Sequence, residues 1–226
     1  MKKGTMKKGD FVWIFILMIW IVVLAVPSSR TVFFEASETH PYFAGFVKFA
    51  ILATMGDLLG KRLHQKNWMI PRGVLIKAVV WGIIGMMITL MFSVYMGGVA
   101  SAQASGRLPW NGSVAAQAVF GSIIMNVTFG PMMMTFHRFT NMLIDAKVEK
   151  KGSHISLSEL VDKNDWHSLV EFAWVKTCIF FWIPVHTLVF LIPGQYRVLV
   201  SAFLSIVLGL LLAASKTGKN SVPIEA

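Results

Sequence analysis

Six long apolar segments alternate with short polar stretches along this chain. They comprise residues 11–26, 42–60, 74–97, 114–137, 168–191 and 198–214. A helix needs about 20 apolar residues to cross roughly 30 Å of hydrocarbon, so each segment predicts a transmembrane helix. The predicted fold class is therefore all-α: a polytopic membrane helix bundle of about six transmembrane helices.

The segment 11–26 admits two interpretations, because it is short, follows Lys7-Lys8 and ends in Val26-Pro27-Ser28, which is also the pattern of a signal peptide. We expect it to remain as the first span. The predicted organisation is a basic cytoplasmic tail at 1–10, one transmembrane domain at 11–214 with a cytoplasmic loop at 145–166, and a cytoplasmic tail at 215–226. Within that loop, the sequence ISLSELV predicts a short surface helix.

The composition agrees with a membrane protein, since 55% of residues are hydrophobic and only 14% are charged. The net charge of +10 then predicts loop orientation and not nucleic-acid binding. With a cytoplasmic N-terminus, fifteen of the 21 Lys and Arg fall on the cytoplasmic side, whereas the outer loops hold only Arg30, Arg107 and Arg197. The positive-inside rule therefore predicts that both termini are cytoplasmic, which requires an even number of spans.

The second segment carries two charges, Lys48 and Asp57, which lie nine residues apart and so on opposite faces of a helix, about 13 Å apart along its axis. Asp57 shares its face with small residues, which predicts that it faces a neighbouring helix. It is either a structural partner of Lys61 or another basic neighbour, or a functional charge in the bundle. Lys48 is expected to snorkel toward the outer end of its span.

The fourth segment carries a polar stripe whose members lie within about 60° of one another around the helix: Asn126, Gly130, His137 and Asn141. Pro131 also leaves a backbone carbonyl without its helical donor. The stripe predicts either a hydrated path or hydrogen bonds between helices without any path. The third and sixth segments carry stripes of Gly, Ser and Thr, which predict helix contact faces.

In the fifth segment an α-helix would place Glu171 and His186 in similar directions but about 22 Å apart, with Lys176 pointing elsewhere. No compact catalytic cluster is therefore predicted on this helix, and Glu171 is expected to be interfacial. The chain lacks the common hydrolase, metalloprotease and phosphate-binding motifs, its histidines have no metal-ligand spacing, and Cys178 is its single cysteine. We expect no enzyme activity, cofactor or metal.

Several short motifs fall in one order along the chain: His40-Pro41, Gly56-Asp57, Gly82 with Gly85, Phe129-Gly130-Pro131, and Pro193 to Arg197. This order resembles the Mpv-seventeen family of small organelle membrane proteins, which includes a peroxisomal membrane protein. The resemblance covers roughly residues 40–214 and departs from the family pattern at several positions, among them Met86 in place of proline. It implies a small-solute pore or channel, with Arg197 at its outer turn. The Lys-rich start is more typical of a bacterial plasma-membrane relative than of a mitochondrial or peroxisomal protein.

We therefore expect a small-solute or ion channel or transporter, and the alternative is a membrane scaffold that does not transport. The residues expected along the solute path are Asp57, Asn126, His137, Asn141, Arg197 and Lys176. The expected partners are the lipid bilayer, a small solute or ion and a second copy of the chain, with no nucleic acid. A membrane enzyme would need two converging titratable groups, for which Asp57 with His137 or Glu171 is the pairing to inspect.

Overall fold

The computed structural model describes residues 6–149 and 156–215 of the 226-residue chain. Its helices are α1 (Lys8–Ala25), α2 (Pro27–Thr39), α3 (Pro41–Gln65), α4 (Val74–Ala104), α5 (Val114–Glu149), α6 (Leu157–Lys163), α7 (Ser168–Leu191) and α8 (Gly194–Ser215). No strand occurs in these two ranges. Six helices, α1, α3, α4, α5, α7 and α8, are long and apolar enough to cross a membrane. The all-α prediction is confirmed, and the protein is a multi-pass integral membrane protein.

The observed helices extend beyond several predicted segments and include one that the hydrophobic pattern did not predict. That helix is α2, which carries too many polar residues to be predicted as a membrane span. It begins at Pro27, and proline is favourable there because the first N–H groups of a helix have no partner within the helix. The short helix expected in the 145–166 loop is confirmed as α6, and the Ser156 hydroxyl accepts a hydrogen bond from the Glu159 backbone N–H at its start. The outer parts of both predicted tails and the centre of that loop lie outside the described residues.

Consecutive spans run antiparallel, which gives the bundle two distinct ends. The start of α1 meets the end of α3, where Arg62 pairs with Asp10 at 3.0 Å, and the start of α4 meets the end of α5, where Lys77 pairs with Asp145 at 2.7 Å. We call this the basic end, because most lysines and arginines flank it. The opposite end contains α2, the α4–α5 loop and the short α7–α8 connection.

Helix α3 lies at the centre of the bundle, with α4 on one side and α8 on the other. A β-carbon added to Gly56 would lie 2.6 Å from the Ser205 carbonyl oxygen, and one added to Gly209 would lie 2.7 Å from that of Gly56. On the α4 side, a β-carbon on Gly85 would lie 2.3 Å from the Gly45 carbonyl oxygen. The contact faces predicted from small residues are confirmed here, because these backbones approach too closely for side chains.

Helix α7 changes its geometry along its length. From Ser168 to Trp182 it is a π-helix, and from Ile183 to Leu191 it is an α-helix. The Ile183 N–H donates to the Cys178 carbonyl, five residues earlier. The change occurs one residue before Pro184, which has no N–H to donate to either pattern.

We expect Gly56→Ala to destabilise the bundle by about 1–3 kcal/mol, because its methyl group would meet backbone atoms of α8 that cannot rotate away. Gly98→Ala is the matched control, since nothing lies within 4 Å of its added β-carbon. Thermal unfolding in detergent measures both. Equal melting temperatures for the two variants would contradict the close packing of α3 on α8.

The orientation predicted from charge can be tested with single cysteines in a Cys178→Ala background. Gln65→Cys lies at the basic end, and Asn111→Cys lies in the α4–α5 loop at the opposite end. With intact cells, a membrane-impermeant maleimide should label Asn111→Cys and leave Gln65→Cys unlabelled until the cells are lysed. The reverse labelling would overturn the predicted orientation.

Candidate functional site

A cavity of about 530 Å³ opens at the opposite end of the bundle. Its walls come from the end of α2, the start of α3, the outer half of α4 and the start of α8. Its polar and charged lining residues are Ser37, Glu38, Lys48, Thr89, Ser93, Gln195 and Arg197. A volume of this size is typical of small-molecule sites.

Lys48 lies inside the protein at this cavity and is only 3% exposed. Its Nζ lies 4.9 Å from the centre of the Phe33 ring, which α2 places over it. Lys48 does not snorkel to surface water as expected, because its side chain is enclosed beneath Phe33 of α2 and lines the cavity.

Arg197 is held at the same cavity by the end of α7. Its Nε donates to the Ile192 carbonyl at 3.0 Å and its Nη2 to the Phe190 carbonyl at 2.9 Å, so it satisfies carbonyls that the end of a helix leaves open. The guanidinium carbon also lies 5.8 Å from the centre of the Phe190 ring. These contacts fix the guanidinium at the wall of the cavity.

A buried polar pair joins α5 to α7 in the interior. The Asn126 amide nitrogen donates to the Ser122 carbonyl at 2.8 Å and lies 3.1 Å from His186 Nδ1, while the Asn126 amide oxygen lies 3.2 Å from the same nitrogen. The Ser122 hydroxyl donates to the Ile183 carbonyl at 2.7 Å. This carbonyl lies at the change from π- to α-helix, so the pair is fixed at that point of α7.

Phe92 separates the Asn126–His186 pair from the cavity. Its ring lines the cavity and meets the His186 ring edge to face at 5.6 Å, and it packs on Phe190 at 5.0 Å. The cavity lining includes neither Asn126 nor His186. Phe92 is thus one aromatic layer between the open and the buried polar groups.

A second polar chain crosses three helices near the basic end. The Trp81 indole N–H donates to the Asp57 carboxylate at 2.7 Å, and the Trp81 ring lies 4.2 Å from the ring of His137. Asn141 then lies 3.0 Å from His137 Nε2. Trp81, on α4, therefore bridges two residues that the sequence predicted on α3 and α5.

Asp57 is half-buried and faces protein, as predicted, and of its predicted alternatives the ion pair with Lys61 does not occur among the described contacts. Lys77 pairs instead with Asp145. These contacts between α4 and α5 close the basic end.

The predicted polar stripe of α5 is divided into two parts. Asn126 and His137 lie about 16 Å apart along the helix. Between them Phe129 is buried in the core, and Gly130 faces the Cys178 sulfur, 3.0 Å from where its β-carbon would lie. The residues at each end of the stripe are therefore separated by an apolar layer.

Lys176 lies apart from the other predicted path residues. Its ammonium group pairs with Glu171 on the outer face of α7, where the lysine side chain is 54% exposed. Glu171 also lies 2.8 Å from His167 Nε2. The prediction that Lys176 points away from Glu171 is wrong, because a π-helix brings residues five apart onto one face.

Neither titratable pair considered for a membrane enzyme is in direct contact. The Trp81 indole lies between Asp57 and His137, and Glu171 is engaged with Lys176 and His167. No group of three or more His, Cys, Asp or Glu side chains suited to a metal occurs within residues 6–149 and 156–215. His186 and Trp81 were not predicted as site residues, since an apolar segment containing one His or one Trp is usually core.

Comparisons with protein-family models, with curated proteins and with solved structures found no match for this chain.

We expect Trp81→Phe to destabilise the protein by about 2 kcal/mol, because the Asp57 carboxylate loses its charge-assisted donor. The double-mutant cycle with Asp57→Ala isolates that interaction from the lost indole area. The free energies of unfolding of the single and double variants, measured in detergent, should give a coupling energy between positions 81 and 57. Trp110→Phe, at an exposed tryptophan, is the control. A coupling energy near zero would show that the hydrogen bond contributes nothing to stability.

Proposed function

We propose that this protein carries small polar solutes across its membrane, with the cavity at the opposite end as the entry site. The single observation that supports this function is the cavity itself. It runs from the end of α2 and the start of α8 to Lys48 and Thr89, and Lys48 is about 10 Å along α3 from the start of that helix. Charged side chains within membrane-spanning helices often mark substrate or ion pathways, which supports a solute site here.

The arrangement supports a gated transporter better than an open channel. Below the cavity lie Phe92, the Asn126–His186 pair, the apolar layer around Phe129, and finally the closed basic end. A solute in the cavity could therefore leave on the other side only after the helices rearranged. Opening of one end while the other is closed is the usual logic of secondary transporters.

Two groups of helices could move relative to one another. The first contains α3, α4 and α8, which the glycine contacts hold together. The second contains α5 and α7, which Ser122 and Asn126 connect. The contacts that close the basic end, Trp81 with His137 and Lys77 with Asp145, both run between these groups. A rocking motion would break them without disturbing either group internally.

A non-transporting scaffold is the second candidate, and the tight packing of α3 supports it. The backbones of α3 and α8 touch at Gly56 and Gly209, with no space for solute between them. Outside these contacts α1 has Trp20 as its one buried residue and ten of its 18 residues exposed, as a helix that meets lipid or a partner would have. Membership of the Mpv-seventeen family and a bacterial plasma-membrane location remain proposals that rest on the short motifs and the Lys-rich start.

The transport proposal predicts solute flux in liposomes that contain the purified protein. Stopped-flow light scattering with a panel of small polyols, amino acids and organic acids should give faster swelling than empty vesicles for at least one solute. Phe92→Ala should increase that flux, because it removes one of the layers that separate the cavity from the basic end.

Phe180→Ala is the matched control, since that ring lies on α7 but is 75% exposed. Size-exclusion chromatography should first show that both variants remain folded. If the wild-type protein and Phe92→Ala both give the flux of empty vesicles for every solute, the transport proposal fails and the scaffold is favoured.

A further inference from the structure

The two buried lysines of the described residues differ in how their charge is balanced. Lys77 donates a hydrogen bond to Asp145 at 2.8 Å and forms an ion pair with it. Lys48 is more deeply buried, yet it makes no hydrogen bond and no ion pair with any residue in the described ranges. Among the described residues, its ammonium group has a cation–π contact with the face of the Phe33 ring.

That contact does not satisfy the hydrogen-bond donors of the lysine ammonium group. An ammonium group has three N–H donors, and an aromatic face offers attraction to the charge from one direction only. A charge taken out of water without a partner is costly, and more so within a membrane. Because Lys48 lines the cavity, its donors are available to whatever enters there.

The other cavity groups suit the same kind of ligand. Arg197 is fixed beside the entrance by two carbonyls, which leaves further guanidinium donors for the cavity. Thr89 and Ser93 add hydroxyl groups on the α4 wall. Glu38 is the acidic lining residue, and it lies on an exposed turn of α2 without an ion pair to either cation in the described contacts.

We propose that this cavity is a binding site for a small organic anion, whose carboxylate or phosphate group is bound by Lys48 with Arg197 at the entrance. The cavity of about 530 Å³ also includes apolar surface from Phe92, Met96 and Val198, which would contact the ligand's carbon skeleton. Glu38 opposes a second negative group at the mouth. The preferred ligand is therefore a monoanion or an anion that also carries an amino group.

This inference goes beyond the proposed transport, because a bound anion need not cross the membrane. It rests on the same cavity but can be tested without flux. Binding measured in nanodiscs reports on the site, and swelling of liposomes reports on passage, so either proposal can fail while the other stands.

The test measures binding of isobutyrate and of its nearly isosteric neutral amide, isobutyramide, to the full chain in phosphatidylcholine nanodiscs by isothermal titration. Isobutyrate should bind at one site, at least about tenfold more tightly than isobutyramide. Lys48→Met should weaken isobutyrate binding by about tenfold or more, whereas Lys48→Arg should retain most of it. Lys176→Met removes a lysine from the outer face of α7 and should change nothing.

A second pair of variants keeps every charge in place. Gly97 lines the cavity, whereas its neighbour Gly98 does not, and neither would bring an added β-carbon within 4 Å of another atom. Gly97→Leu should therefore fold normally and weaken binding by filling the cavity, and Gly98→Leu should bind as the wild type does. This comparison decides the question even if Lys48→Met does not fold.

The anionic group could belong to a dissolved molecule or to a lipid. If the site binds a dissolved molecule, its affinity for isobutyrate should be the same in nanodiscs that contain phosphatidylglycerol. If the site binds a lipid headgroup, phosphatidylglycerol should compete and lower the affinity for isobutyrate. In that case phosphatidylglycerol should also co-purify with the wild type but not with Gly97→Leu. Both results support the anion site and identify its source. The proposal is overturned if isobutyrate and isobutyramide bind equally and phosphatidylglycerol does not distinguish wild type from Gly97→Leu.

Discussion

The direct approach of backbones around α3 is the constraint on which the rest of this structure depends. At Gly56 and Gly209 the helices α3 and α8 touch without side chains between them, and at Gly45 and Gly85 α3 touches α4 in the same way. Lipid tails are as apolar as leucine, so membrane helices associate through such close van der Waals contact more than through hydrophobic burial. Because α3 is enclosed on two sides, both of its charges are enclosed as well.

That enclosure explains how a membrane helix keeps Lys48 and Asp57. Nine residues separate them, so they face different neighbours and lie near different ends. Asp57 accepts a hydrogen bond from the Trp81 indole, whereas Lys48 meets a cavity and one aromatic ring. The basic end thus carries ion pairs and hydrogen bonds between helices, whereas Lys48, toward the opposite end, makes no hydrogen bond or ion pair with any described residue.

Sequence patterns predicted the fold better than the site, for physical reasons. Long apolar segments and small-residue stripes depend on local composition, so the six spans and the contact faces followed directly from them. The site depends on which helices become neighbours, and no periodicity states that Trp81 will lie between Asp57 and His137. The predicted direction of the Lys176 side chain was wrong for a different reason. The prediction assumed α-helical geometry, whereas this part of α7 is a π-helix. The helix α2 was missed because it is neither apolar enough for a span nor marked by a strong amphipathic pattern.

The short connection between α7 and α8 joins the helix that carries the buried His186 to the helix that carries Arg197. Only Ile192 and Pro193 separate the two helices, and Arg197 of α8 donates hydrogen bonds to the carbonyls of Phe190 and Ile192 at the end of α7. An axial displacement of His186 along with α7 would therefore shift the two carbonyls that hold the Arg197 guanidinium at the cavity. The same two hydrogen bonds would carry a change at Arg197 back to the helix that bears the buried imidazole.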